Sequence, residues 1–420
     1  MASALASFGA LYAAVLLLMM GVGLLSTQLS LRLVMEGFST QITGLAMSTY
    51  YLGLVFGSVY CRHLIQRVGH IRSFAAFAAA ATAIVMLHGL YVSAVFWAAL
   101  RLLTGIATIG LYMVIESWLG ECADARFRGR VFSIYMVLCY LGLAIGQQLL
   151  NLGDVRSHEL FFICGFLLTL CLVPVAVTHS IHPELRQPQR LNPLTIFRRA
   201  PIGALGTLAA GLITGSIHSM GPVLGHQIGL TVSEVSWFMS AAISGGLVFQ
   251  WPVGVISDRI DRTKVLIALL LLLATSSALI LHTAHSGFYP LVLSMVTFGG
   301  FAFTIYPVSV ARTYDLFDSR DIASVSSVLL LFYGLGAAIG PIATSAIMTS
   351  TQSPDGFFVF CSVVGILGAA TTLLFRQKGN IEIIPADDQL DFLPMSGTSP
   401  VTAVIDPRVT LAAENSVSRN

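Results

Sequence analysis

Charge is what this chain has least of. Asp, Glu, Lys and Arg together make up 10% of its 420 residues, against 56% hydrophobic residues and a mean hydropathy of +0.84. A water-soluble chain of this length needs far more polar side chains to cover its surface, so a soluble fold is excluded. Several catalytic signatures are missing too. The sequence has no Gly-rich phosphate loop ending in Lys-Ser/Thr, no nucleophile elbow and no helix-borne His-Glu-His arrangement. ATP is therefore not the energy source, and an enzyme is the least supported class. The six cysteines (Cys61, Cys122, Cys139, Cys164, Cys171, Cys361) lack metal-ligand spacing and His partners, and read as small apolar residues in a reduced setting. No metal and no cofactor is expected. A net charge of +2 says nothing for nucleic acid. No Lys or Arg precedes the first apolar run, which reads as a retained helix, not a cleaved leader.

What the chain does have is apolar length. Runs near 20 residues recur at 8–31, 41–61, 73–92, 95–118, 131–151, 160–179, 203–223, 233–256, 265–283, 288–311, 323–349 and 356–375. Each is long enough as a helix to cross a hydrocarbon core of ~30 Å. Lipid offers no partner to an open backbone amide, and the short alternating strands of a barrel are absent from the pattern. The expectation is an all-α polytopic membrane protein of twelve transmembrane helices. With the N-terminus inside, the cytoplasmic loops hold Arg67, Arg72, Arg126, Arg128, Arg130, Arg186, Arg190, Arg198, Arg199 and others, whereas the opposite loops hold only Arg156. The positive-inside rule then places both termini in the cytoplasm.

The two halves echo each other. GFSTQITGLAMS (37–48) aligns with GLTVSEVSWFMS (229–240), and RGRVFSIYMVLCYLGLAIGQ (128–147) with DIASVSSVLLLFYGLGAAIGP (321–341). Gly146 falls opposite Gly340, Gly105 opposite Gly299, and Tyr112 opposite Tyr306. Repeated halves predict two pseudo-symmetric six-helix bundles with a solute site between them near the midplane. The boundaries read as a first bundle at 1–178, a Pro- and Arg-rich cytoplasmic linker at 179–200, a second bundle at 201–376, and a polar tail at 377–420 without apolar periodicity, expected to be disordered.

One charged knot breaks the apolar sequence. In GVISDRIDRTK, Gly254 to Lys264, five charges crowd seven positions: Asp258, Arg259, Asp261, Arg262 and Lys264. This stretch resembles the signature loop between spans 8 and 9 of the major facilitator superfamily. Its first-half counterpart, RHLIQRVGHIR (62–72), keeps Arg67, Gly69 and Arg72 but has Gln66 where that pattern has Asp. RLLTGIATIG (101–110) resembles the fourth-span motif of the superfamily. IESWL (115–119), RGRVFSIYM (128–136), QWPVG (250–254) and FTIYPVSVA (303–311) look like its YcaD-type branch of bacterial permeases. The resemblance spans all twelve runs. It implies a gate in which Asp258 accepts helix-terminal amides and pairs with Arg259 or Arg262, latching the bundles shut at the cytoplasmic side. A plain basic loop that sets topology is the alternative. The loss of the acid at Gln66 implies a weaker first-half latch.

Two ionisable residues fall inside the runs. Arg101 lies about seven residues into span 4, roughly 10 Å below the outer surface, where an arginine normally faces a cavity or the bundle interior. The resemblance implies that it tunes a nearby acid; a structural arginine bonded to carbonyls and water is the alternative. Glu116, near the inner end of the same span, reads as half of an inner-gate ion pair ahead of a proton carrier. Fifteen residues, roughly 22 Å of helix, separate it from Arg101, so the two cannot pair. Candidate solute walls are polar tips on apolar bodies: Gln28, Tyr50, Tyr112, Tyr140, Gln147, His218, Trp251, Tyr306 and Tyr333. Such tips grip an amphiphilic solute without a fixed charge. Tyr112 and Tyr306 stand out because the repeat makes them equivalent.

The sequence thus points to a secondary transporter of the bacterial inner membrane, a monomer in the lipid bilayer. It would move a small organic solute by alternating access, coupled to protons, with export ahead of uptake. An uncoupled facilitator or uptake permease, and a non-transporting receptor that keeps the fold, are the rivals.

Overall fold

The computed structural model describes residues 2–123, 127–177, 192–283, 287–318, 321–377, 384–385, 389–395 and 397–399. The first group of helices is α1 (Ala2–Met35), α2 (Thr40–Val68), α3 (His70–Leu90), α4 (Ala94–Cys122), α5 (Arg128–Gln148), α6 (Glu159–Leu170) and α7 (Leu172–Val177). A short α8 (Pro193–Arg199) leads into α9 (Pro201–Gln227), α10 (Val232–Arg259), α11 (Arg262–Thr283), α12 (Phe288–Tyr314), α13 (Ile322–Ser350) and α14 (Gly356–Gln377). Among the described residues, twelve spans are long and apolar enough to cross a membrane, α6 and α7 jointly supplying the sixth. Most helices overrun the apolar sequence by a few residues; α2, for example, continues through Arg62 and Arg67 to Val68. A helix that has already formed extends into water because each further residue adds a backbone hydrogen bond without a new nucleus.

The repeat is visible in the backbone. Gly37 and Gly229 both take a left-handed conformation, φ 86° and 87°, which glycine adopts without steric cost. Two residues on, Ser39 caps α2 by accepting from Ile42 N, and Thr231 caps α10 through a capping box with Glu234. A Cβ on Gly146 would strike the Met20 carbonyl of α1, and one on Gly340 would strike the Leu212 carbonyl of α9. Missing side chains at these positions let α5 lie against α1, and α13 against α9, backbone to backbone.

The groups meet along α1 with α9, α2 with α13, and α5 with α10. Helices α3 and α6 pack outside α1 and α4, while α11 and α14 pack outside α9 and α12. Of the linker expected at 179–200, residues 178–191 lie outside the described residues; the rest is α8, capped by Asn192 with Pro193 in its first turn. The expectation of a tail without packed structure fails for part of it. Met395 is 1% exposed, and Thr398 and Ser399 are buried. The reason is local: DFLPM (391–395) puts three large apolar side chains into an otherwise polar stretch, of which Met395 is buried and Phe392 and Leu393 pack partly buried against the core. Residues 378–383, 386–388, 396 and 400–420 lie outside the described residues, as do the loop cations Arg126, Arg186, Arg190 and Arg320.

Candidate functional site

Between the two groups lies a cavity of about 130 Å³. Helical spacing brings its wall together. Met19, Val22 and Ser26 come from one stripe of α1, Tyr50, Tyr51 and Leu54 from α2, Arg101 and Tyr112 from α4, and Cys139, Tyr140 and Leu143 from α5. The second group supplies Thr214 and His218 one turn apart on α9, Phe303 and Tyr306 on α12, and Tyr333 on α13. Rings interlock across the space. Tyr306 meets Tyr333 at 4.9 Å between centroids, Tyr140 meets Phe303 at 5.9 Å, and His218 meets Phe303 at 5.5 Å, all tilted or edge-on. His218 Nδ1 is 2.9 Å from the Thr214 carbonyl. A carbonyl only accepts, so this nitrogen carries the proton and leaves Nε2 for another partner.

The end of the cavity away from the α2–α3 and α10–α11 turns is closed by direct bonds between the groups. Ser26 donates to the His218 carbonyl at 3.2 Å, and Ser30 to the Ser219 carbonyl at 2.6 Å. Gln148 reaches Ser240 at 2.7 Å, Asn151 reaches Ser236 at 3.1 Å, and Gln227 reaches Thr40 at 3.0 Å. At the other end the tail stands between the groups. Met395, Gly397 and Thr398 complete the cavity wall. Thr398 and Ser399 donate to the two carboxylate oxygens of Glu116, which also accepts from Tyr135 at 2.6 Å. Phe392 fills space that Gly254 leaves, where a Cβ would come within 2.5 Å of the ring. Gly397 lies flat on Tyr333 for the same reason.

The charged knot anchors this tail. Arg262, fully buried, pairs with Asp315 at 2.6 Å and Asp258 at 2.7 Å and also donates to the Leu390 carbonyl. Asp315 accepts from Leu390 N at 3.1 Å, and Asp258 from Phe392 N at 2.9 Å. Burial pushes the Asp315 carboxyl above its ordinary range, and the Arg262 guanidinium beside it pulls the other way. Asp261 caps α11 through Thr263 N and pairs with Arg376 at 3.0 Å, while Arg259 and Lys264 are exposed. The described partners of Asp258 and Arg262 therefore lie in the second group and the tail; where a clasp between the two groups was expected, the knot ties α10, α11, α12 and the tail. In the first half, Gln66, Arg67 and Arg72 are exposed and Gly69 makes the α2–α3 turn at φ 88°.

Of the expected wall residues, Tyr50, Tyr112, Tyr140, His218, Tyr306 and Tyr333 line the cavity together with Arg101. Three do not. Trp251 is 78% exposed, on a stripe with Val248 and Val255 that faces outward, because its neighbour Gln250 takes the inward direction and one residue turns a helix by about 100°. Gln147 is spent on packing: it accepts from Thr27 at 2.5 Å and donates to the Gly23 carbonyl at 3.2 Å, joining α5 to α1. Gln28 is buried in the outer half of α1, away from the cavity wall. Glu116 likewise sits one layer behind the wall, and the hydroxyls of Tyr135, Thr398 and Ser399 are among its hydrogen-bond donors. Ser26, Tyr51, Thr214 and Phe303 were missed, although Thr214 and Phe303 stand one helical turn from residues that were found.

Comparison with known proteins agrees with this architecture. The family model of the Major Facilitator Superfamily matches residues 11–216 and again 203–410. An uncharacterized MFS-type transporter, YcaD, of Escherichia fergusonii is 28% identical over 357 residues, covering 84% of this chain and 92% of that protein. YcaD of an Escherichia coli strain is 27% identical over 377 residues, covering 88% and 95%. Among solved structures, the nucleoside transporter NupG superposes with a TM-score of 0.72 at 14% identity, covering 88% of this chain and 98% of that one. A bacterial homologue of the lysosomal transporter Spinster, in an inward-facing and unoccupied conformation, gives 0.64 at 15%, covering 96% and 97%. Those two likenesses show the fold. With both halves of the sequence matched by one family of transporters, this chain belongs to the Major Facilitator Superfamily.

Proposed function

We propose that the chain is a secondary transporter of the bacterial inner membrane that carries a small organic solute by alternating access, coupled to protons, in the direction of export. One observation carries the reading. The cavity is walled by both helix groups, is bonded shut at one end, and has described tail residues 389–395 and 397–399 lodged at the other. Such an arrangement has two separate closures, and rocking of the groups exchanges one for the other. The stoppered end carries the exposed cations Arg67, Arg72, Arg259 and Lys264, which the positive-inside rule assigns to the cytoplasm. Glu116, buried among hydroxyls that satisfy a carboxylate and a carboxylic acid alike, is the proton carrier of this scheme.

Thiol labelling tests the cycle without knowledge of the solute. In a chain whose native cysteines are replaced, Ser30→Cys and Leu54→Cys are probed in membrane vesicles with an impermeant maleimide from each face. The expected result is labelling of Leu54→Cys from the cytoplasmic face and, in a minority population, of Ser30→Cys from the opposite face. If Ser30→Cys resists the reagent under every condition, alternating access is lost. A Glu116→Gln chain whose transport still answers to a pH gradient as the parent does removes Glu116 as carrier.

A further inference from the structure

Arg101 is a buried cation with no counter-charge among the described residues. It lies in the outer half of α4 within a membrane span, where its side chain is 3% exposed. An arginine at such depth ordinarily pairs with a carboxylate or with backbone carbonyls. Among the described residues, Arg101 makes no salt bridge and no hydrogen bond, and its Nε is fully buried without a partner. Its one described contact is the face of the Tyr50 ring, 4.4 Å from the guanidinium carbon. Stacking of this kind orients the plane of an arginine and leaves its N–H edge available.

The surroundings sharpen the point. Among the described residues, Arg101 is the one charged side chain in the cavity wall, and no carboxylate lines it. Other described acids sit at helix ends and in loops, and Glu116 lies about 22 Å along the helix. The rest of the polar wall is mainly hydroxyls, which donate to an oxyanion as readily as they accept. A cavity whose cation is held in place and has no described counter-charge is complementary to a negative charge brought from outside.

We propose that Arg101 is the docking group for the solute's own negative charge, and that the cavity takes a small amphiphilic organic anion. A single carboxylate, or an oxyanion of similar size, sits on the N–H edge of Arg101 beside Tyr50 in the first helix group. Its apolar body lies against Phe303, Tyr306 and Tyr333 of the second. The bound anion thus touches both groups, so its charge and its apolar body favour their approach together. This reading rests on the cavity being the solute site, and it departs from the sequence-based expectation of a solute gripped without fixed charge. An anion leaving a cell with a negative interior also moves with the membrane field, consistent with export.

Equilibrium binding decides it, because binding in micelles needs no transport cycle and labelling of the closures needs no ligand. The purified full chain is titrated with benzoate and 4-phenylbutyrate and with the corresponding alcohols and amines, by calorimetry and thermal shift. The carboxylates are expected to bind at least about tenfold tighter than their alcohols, and the amines not at all. Arg101→Gln is expected to lower carboxylate affinity about tenfold or more and leave alcohol affinity unchanged, with Arg101→Lys recovering part of the loss. Should Arg101→Gln fail to fold, the parent chain and Arg101→Lys carry the comparison. Three results overturn the proposal: alcohols or amines binding as tightly as carboxylates, a carboxylate-to-alcohol ratio that Arg101→Gln leaves intact, or no carboxylate of the series binding.

Discussion

Arg262 shows how burial separates residues that look alike in sequence. It and Arg259 stand three apart in one charged loop, yet Arg262 is fully buried between Asp258 and Asp315 while Arg259 faces water. Removing a buried partner strands the other charge and costs about 3–5 kcal/mol, whereas exposed charges contribute about 0–1 kcal/mol. Arg262→Met is therefore expected to lower the apparent unfolding temperature in detergent by several degrees, with Arg259→Gln indistinguishable from the parent. Equal shifts for both would show that the Arg262–Asp315 pair contributes nothing to stability. Sequence placed both arginines in the gate but could not rank them, since spacing along a loop does not say which side chain turns under the bundle.

At the level of helices, the paired glycines and the tail carry the load. Gly340 touches the Leu212 carbonyl where any Cβ would strike it, so Gly340→Val must push α13 from α9. Overpacking of this kind costs about 1–3 kcal/mol, and a weaker solute exchange is expected alongside a lower unfolding temperature. The tail segment holds its place through Leu390, Phe392, Thr398 and Ser399, each bonded to a group that remains when the segment leaves. Ending the chain after Gln377 is expected to leave the fold intact and to raise the labelling rate of Leu54→Cys from the cytoplasmic face several-fold. An unchanged rate would mean that the segment does not close that end. Gly146 and Gly340 were visible in the repeat, because local backbone chemistry repeats with the sequence that produces it.

For the molecule as a whole, the seam where Ser30 meets Ser219 is the part that opens in the proposed cycle. Ser30 and Ser219 meet across it, one from each helix group. Joining Ser30→Cys to Ser219→Cys with a short bis-thiol reagent is expected to stop exchange across the membrane while carboxylate binding in micelles persists. Exchange at the parent rate after complete cross-linking would show that the groups need not part there. If the solute is an anion, each 100 mV of negative-inside potential favours its exit by about 2.3 kcal/mol per charge, so export needs little further driving force.

Twelve spans, the internal repeat and the superfamily were all readable from composition, apolar length and motif order, while the end of α2 lies seven residues beyond its apolar run. These properties depend on local patterns and on the simple demand that lipid-facing backbone satisfy itself. Which polar groups meet was decided only in three dimensions. Tyr50 and Tyr333 share a cavity, whereas Trp251 turns to the outside, because a single residue step of about 100° reverses a side chain's surroundings. The lodging of the tail and the lack of a counter-charge for Arg101 among the described residues are likewise long-range features: each depends on what distant segments bring to one place.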